Sequence, residues 1–281
     1  MLAAESRLVL PVTQDLDSIA RQLRTQLVEL SHRARTAHLG SSLSCVDIVV
    51  AAYWGALRID PARPSDPSRD RFILSKGHAA TVLYTALAAR GFFSPKLLES
   101  YAEPGSCLPE HPSPGCVPGV EVATGSLGHG LSLGVGVALS SRIQGYSHRV
   151  YALLSDGECN EGSVWEAAMF AAGQKLDNVA VVVDLNGWQA TGRSADVMAL
   201  HPFAEKWNAF GWSTYEVDGH DIGALADHLS NVPDGSGRPV AIVARTVKGK
   251  GVSFMEDDNN WHYRIPTADE VLAAKRELGT L

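Results

Sequence analysis

Apolar positions recur at three- and four-residue spacing through 15–35, where Leu16, Ile19, Leu23, Leu27 and Leu30 fall on one face of a predicted amphipathic helix. Ser44 with Asp47 three residues on reads as a variant capping box opening a second helix over 44–57. The short run RFILS (71–75) predicts a strand, and 79–90 a helix that Gly91 can end. Residues 103–126 are rich in Pro and Gly without a periodic run, so an extended loop is expected there. Beyond it the pattern is regular: helix 127–143, strand 149–155, helix 161–175, strand 179–184, helix 202–210, strand 213–217, helix 221–230 and strand 239–245. Strands that alternate with helices imply βαβ units, hence an α/β fold with a mostly parallel sheet and helices on both faces. No linker-like break or internal repeat divides the chain. A single domain over 1–281 is expected, with an N-terminal helical extension 1–35 and a C-terminal tail 246–281 that carries Lys248, Lys250, Trp261 and His262 before a short helix 267–277.

Two of the predicted strands stop in the same way. The first ends at Asp156-Gly157 and the next at Asp184-Leu185-Asn186-Gly187, with one helix between them. Parallel strands joined by a helix are usually sheet neighbours, so Asp156 and Asn186 should share the carboxyl edge, where open α/β sheets bind ligands. One carboxylate, one amide oxygen and a nearby backbone carbonyl form a sparse oxygen set suited to Mg²⁺, which keeps sites free for phosphate oxygens. A helix opening near Glu161 would add free N–H groups and its positive end, and Gly157 and Gly187 would let the backbone come close. A metal-bridged diphosphate is the reading that joins these features. Taken singly, each has a plainer one: Asp156 caps the next helix, and Asn186-Gly187 is a turn.

Composition narrows the classes. Of 281 residues, 45% are hydrophobic and 20% charged, ordinary for a globular protein. A net charge of −7 and a pI near 5.8 argue against a nucleic-acid surface. The longest apolar runs, 45–57 and 179–183, are too short to span a membrane, and no basic n-region precedes an apolar core at the N-terminus. Four irregularly spaced cysteines suggest free thiols, so the cytoplasm is the expected compartment. Cys107, His111 and Cys116 lack a fourth metal ligand at a usual spacing. The glycine cluster at 128–134 has one residue too many for a dinucleotide fingerprint, and no P-loop pattern occurs.

Five segments, in order, resemble the N-terminal, diphosphate-binding half of transketolases: TAHLGSSLSCVDI (36–48), DRFILSKGHAA (70–80), PEHPSPGCVPGVEVATGSLGHGLS (109–132), DGECNEG (156–162) and TVKGKGVSFMEDDNNWH (246–262). The SKGH and GVSFMEDDNNWH forms are closer to split, two-chain transketolases. The resemblance implies a thiamine-diphosphate-binding fold, with thiamine diphosphate and Mg²⁺ (or Ca²⁺ or Mn²⁺) as cofactors. It assigns the metal to Asp156, Asn186 and the Trp188 carbonyl, and the diphosphate loop to Gly157. His78 and His262 would face the diphosphate and substrate, His38 and His111 the donor hydroxyls and reacting carbons. Gly125 and Leu127 would lie beside the aminopyrimidine and thiazolium, and Glu161 and Glu166 at a dimer contact through which cofactor sites communicate.

The same resemblance implies a partner. In the family a second, pyrimidine-binding domain supplies the activating glutamate and the substrate-phosphate grip. Here that domain is expected on a separate C-terminal chain in an α₂β₂ assembly, with this chain inactive alone. Small ketose and aldehyde substrates would exchange a two-carbon ketol unit. The chain departs from the family at Ser155, Ala37 and Glu110, each standing where glycine is usual. A carboxylate at 110 would oppose a phosphorylated donor. There are two alternatives. One is the cofactor-binding subunit of a 2-oxo acid dehydrogenase, against which His38, His111 and the 251–262 segment argue. The other is a non-catalytic assembly protein, against which the four intact histidines argue.

Overall fold

A computed structural model describes residues 15–281. The expected helix appears as α1 (Leu16–Ala34), N-capped by the Asp15 carboxylate, which accepts from the Ser18 N–H at 3.2 Å. The remainder of the expected 1–35 extension lies outside the described residues. α2 (Leu39–Ser44) and α3 (Val46–Val50) follow, α3 running on into a π-helical turn, Ala51–Ala56. The capping box expected at Ser44 does not form. The Ser44 hydroxyl instead donates to the Ser41 carbonyl and to Asp184, while Asp47 is buried against Arg24 (2.6 Å) and His220 (2.7 Å). Long-range partners outcompete the local cap because both side chains point into protein rather than solvent.

Then come β1 (Arg71–Leu74), α4 (Ala80–Ala89), α5 (Gly130–Ile143), β2 (Val150–Ser155), α6 (Gly162–Gly173), β3 (Val179–Leu185), a short α7 (Ser194–Val197), α8 (Phe203–Ala209), β4 (Ser213–Asp218), α9 (Ile222–Ser230), β5 (Val240–Arg245) and α10 (Ala268–Glu277). The strands form one parallel sheet in the order β1-β2-β3-β5-β4. β2 and β3 are buried at every position, and their residues alternate between two cores. Tyr151, Leu153, Ala180, Val182 and Ile242 face α1–α4 and α9; Ala152, Leu154, Val181, Val183 and Val243 face α5, α6 and α8. Helices therefore cover both faces, which is why these strands read as continuous apolar runs.

The loops at the carboxyl edge are pinned to one buried ion pair. Lys76, just past β1, and Asp184, near the end of β3, have no exposed side-chain surface and pair directly. Burial alone disfavours both charges, yet their attraction outweighs it, holding Lys76 above and Asp184 below their ordinary pKa values. Lys76 also donates to the Ser41 carbonyl (2.8 Å). Asp184 also accepts from Ser44 (2.6 Å), Thr246 and the Asn186 amide (3.2 Å). Four chain segments meet at one carboxylate.

Removing one partner leaves an uncompensated buried charge, which costs about 3–5 kcal/mol. Lys76→Met is expected to lower the thermal midpoint by roughly 10 °C, at a few degrees per kcal/mol for a chain this long. The double variant Lys76→Met/Asp184→Leu should be less damaged than the sum of the singles. Strictly additive losses in a thermal-unfolding series would show that the two charges are not coupled.

Candidate active site

Ser155 pairs with Asp184 in the β2–β3 register, so the two strands end side by side. The Asp156 carboxylate accepts from Gly157 N–H at 2.8 Å and also reaches across to the second strand end, accepting from Gly187 N–H at 2.9 Å and the Ser194 hydroxyl at 2.8 Å. The Asn186 oxygen accepts from Trp188 N–H at 3.0 Å, and no donor among the described residues reaches the Trp188 carbonyl. Gly187 takes φ +75°, a left-handed turn that brings its N–H back onto Asp156. Asn186-Gly187 does form a turn, whereas Asp156 caps the intervening 3-10 turn rather than the next helix, and together they join the two ends. The segment after Asp156 is a 3-10 turn, Gly157–Asn160, and α6 opens only at Gly162. The helix N-terminus expected near Glu161 is found there, with Glu161 as the N-cap residue, and Glu161 and Glu166 are both exposed.

Burial, with the Asp184 charge nearby, raises the Asp156 carboxyl to a pKa of about 6. Three of its lone pairs are already engaged, and the rest of this buried carboxylate calls for a cation. One acceptor position left on Asp156, one on Asn186 and the bare Trp188 carbonyl make a hard oxygen set that fits a small divalent ion. Ser155, standing where glycine was expected, is absorbed without strain: its hydroxyl accepts from Glu158 N–H at 3.2 Å and stitches the same turn.

Three of the four histidines form one cluster. Ring centroids of His38 and His78 are 5.3 Å apart, those of His38 and His262 5.0 Å, and those of His78 and His262 5.8 Å. His38 is held in a left-handed conformation (φ 68°) that is uncommon for a residue with a Cβ, and its N–H donates to the His262 carbonyl at 2.7 Å. His111 comes from the long loop. Its ring packs on Gly125, where φ is +132° and an added Cβ would lie 2.5 Å from the imidazole, so only glycine lets that ring in. Glu110 and His111 are exposed, Ala37 and Leu127 half-buried. Burial first, then the positive charge of His111 and Lys248, lowers His38 to about 4; burial, then Lys248 and His38, lowers His262 to about 3. His78 is depressed by burial and Lys76. Near neutral pH these three imidazoles are uncharged, each carrying one N–H donor and one acceptor.

Three further residues, to which the sequence assigned no role, are placed here by the fold. Lys248 is buried beside His262, its ammonium donating to the Asn259 oxygen at 2.7 Å and to His262 Nδ1 at 3.0 Å. Burial and the neighbouring Lys76 lower its pKa to about 8. The fully buried Glu158 carboxylate accepts from Gly128 N–H (2.9 Å), the Ser75 hydroxyl and Ser155 N–H (3.4 Å), tying the Leu127 loop to the end of β2. Asp184 is the third. Glu158 lies inside DGECNEG and Lys248 inside TVKGKGVSFMEDDNNWH, while Asp184 acts mainly through partners far away in the chain. The resulting site has an oxygen-rich corner, a buried ammonium and a wall of neutral imidazoles. It can hold a metal-bound anion and make hydrogen bonds of either sense to a polar organic group.

Residues 14–281 match the family described as transketolase, thiamine diphosphate binding domain. An apulose-4-phosphate transketolase subunit from Phocaeicola vulgatus is 38% identical over 265 residues, covering 94% of each chain. The 6-deoxy-6-sulfo-D-fructose transketolase subunit of a Clostridium species is 38% identical over 264 residues, covering 94% of this chain and 96% of that one. Among solved structures, transketolase from Campylobacter jejuni superposes with a TM-score of 0.88 at 26% identity, over 95% of this chain but 43% of that one. This chain thus spans nearly the whole of the two subunits and less than half of the Campylobacter enzyme. It belongs to the transketolase family, as a thiamine-diphosphate-binding subunit of it.

Proposed function

We propose that this chain is the cofactor-holding half of a two-chain transketolase that moves a two-carbon ketol unit from a ketose donor, phosphorylated or otherwise acidic, to an aldehyde acceptor. The observation that carries this reading is the convergence of Asp156, Asn186 and the free Trp188 carbonyl beside a neutral three-histidine cluster. Mg²⁺, or Ca²⁺ or Mn²⁺ in its place, would take those three oxygens and share diphosphate oxygens. Thiamine diphosphate, when bound, supplies the electron sink that cleavage beside a ketose carbonyl requires. Gly157, His78, Lys248 and His262 would bind the diphosphate, and Gly125 and Leu127 would flank the rings. His38 and His111 would accept the donor's hydroxyl proton and hydrogen-bond the developing alkoxide, a task suited to imidazole, which can act as donor or acceptor.

The naming of the relatives as subunits, and the full-length match to them, support a partner chain carrying the pyrimidine-binding domain. Exposed apolar side chains on α5 and α6 (Leu133, Met169 and Phe170), close to Glu161 and Glu166, suit a contact between subunits in an α₂β₂ assembly. Among the described residues no helix is long and apolar enough to cross a membrane.

Co-expression with a C-terminal transketolase chain should yield a complex of twice two chains by light scattering, active in ketol transfer, while either chain alone is inactive. In that complex Asp156→Ala should abolish metal-dependent thiamine diphosphate binding in calorimetry. Full activity from this chain alone, or unchanged affinity in the variant, would overturn the reading.

Metal-free chain offers a second test. Because the folded Asp156 value of about 6 lies above the ordinary 3.8, the folded state binds this proton more tightly. The group's stabilising contribution is present below about pH 4 and lost as pH rises through 6. In EDTA, the stability of Asp156→Asn relative to wild type should therefore rise by on the order of 3 kcal/mol from pH 4 to pH 7 in urea titrations. Mg²⁺ with thiamine diphosphate should shrink that gap. A pH-independent difference would remove the case for a cation-seeking carboxylate.

His111→Ala should keep the thermal midpoint, since its loop is exposed, and lower kcat/KM for ketol transfer about 100-fold, the scale of a lost proton-transfer group. A large stability loss with unaltered turnover per folded complex would make it structural.

A further inference from the structure

The loop after β3 and the loop before His262 are far apart in sequence but joined at two points. Arg193 forms a two-pronged ion pair with Asp257 (2.6 Å on each oxygen) while its guanidinium lies 3.7 Å over the Trp188 ring, and the Trp188 indole N–H also donates to Asp257 at 2.8 Å. Two residues on, the Asn259 amide donates to the Ala190 carbonyl at 3.2 Å. That bond fixes which way the amide faces: its nitrogen is committed to Ala190, so its oxygen is presented to the Lys248 ammonium at 2.7 Å. Lys248, held by that oxygen, donates on to His262 Nδ1 at 3.0 Å.

An ammonium has donors and no acceptor, so His262 Nδ1 must be the accepting nitrogen and its proton must sit on Nε2. We propose that Asn259 is a positioning residue: by aiming Lys248 at Nδ1 it fixes His262 as the Nε2–H tautomer, and through Ala190 it ties that choice to the loop that follows Asn186. His262 then meets the diphosphate as a hydrogen-bond donor rather than an acceptor. The inference rests on the functional reading above for what His262 faces, but not for the tautomer itself. No bond made by the Asn259 side chain among the described residues involves a proposed metal ligand directly. Its effect reaches the site through one amide, one ammonium and one ring.

The test is nitrogen–proton correlation through two bonds on the full chain, free of cofactor, with its histidines labelled by the heavy nitrogen isotope and the His262 signals identified by their loss in His262→Gln. Wild type should show the pattern of a single Nε2–H tautomer. Asn259→Ala should give a mixture of tautomers. Asn259→Asp keeps an oxygen for Lys248, now charged, and replaces the donor to Ala190 with a carboxylate oxygen, so it should retain Nε2–H. In the assembled enzyme Asn259→Ala should lose about tenfold in kcat/KM at an unchanged thermal midpoint, with Asn259→Asp recovering most of it. Asn259→Ser is measured in the same way if the alanine variant does not fold. A wild-type Nδ1–H pattern, or a pure Nε2–H pattern in Asn259→Ala, overturns the proposal. Equal scrambling in alanine and aspartate variants would also overturn it by showing a general structural effect. Absence of ketol transfer in the wild-type assembly would defeat the functional reading and leave the tautomer result standing.

Discussion

The Lys76–Asp184 pair is the constraint from which the site is hung. A buried ion pair is poor evidence for stability in itself, because desolvating two charges offsets most of their attraction. Its value here is geometric. Asp184 ends an all-buried strand and accepts from Lys76 beside His78, from Ser44 on the helix that His38 opens, from Thr246 on the way to Lys248, and from Asn186. Lys76, Ser44 and Thr246 come from three segments far apart in sequence, and Asn186 lies two residues beyond Asp184. A carboxylate with no access to water must collect donors, and the donors bring their loops with them.

The same burial sets the electrostatics. Lys76 is neutralised by Asp184, which leaves Lys248, among the described residues, as the ammonium without a carboxylate partner beside the histidine cluster. Its field and the low-dielectric surroundings keep His38 and His262 uncharged. Three imidazolium ions packed this closely would repel one another, whereas three neutral rings can each give and take a hydrogen bond. Asp156 is the complement, a carboxylate that burial makes reluctant to ionise.

Most of the fold is legible in the sequence because its signals are local and periodic. All five strands appear within a residue or so of the expected positions, and the paired endings at Asp156 and Asn186 do sit on adjacent strands. The differences fall where long-range partners decide. Ser44 and Asp47 look like a cap until Asp184, Arg24 and His220 claim them. The π-helical turn at Ala51–Ala56, the 3-10 turn at Gly157–Asn160 and the short α7 have no periodic signature long enough to read. Of the site, the four histidines stand out through family resemblance. Lys248 and Glu158 lie inside matching segments and Asp184 near a strand end, but none is assigned a role there, since a lysine in a glycine-rich tail and an acid at a strand end look ordinary until their partners are known.

A gradient of burial runs across the site, and it has a mechanical meaning. Asp156, Lys76, Glu158 and Lys248 are almost wholly buried, the histidine cluster is half-buried, and His111 and Tyr263 stand exposed at its edge. Groups at the buried end are fixed by several bonds each, so they can hold a charged anchor in one place. At the exposed edge, His111 rests its ring against Gly125 and Tyr263 packs its ring near His38 and His262. Hydrogen bonds are therefore concentrated at the buried end, where a diphosphate would be gripped.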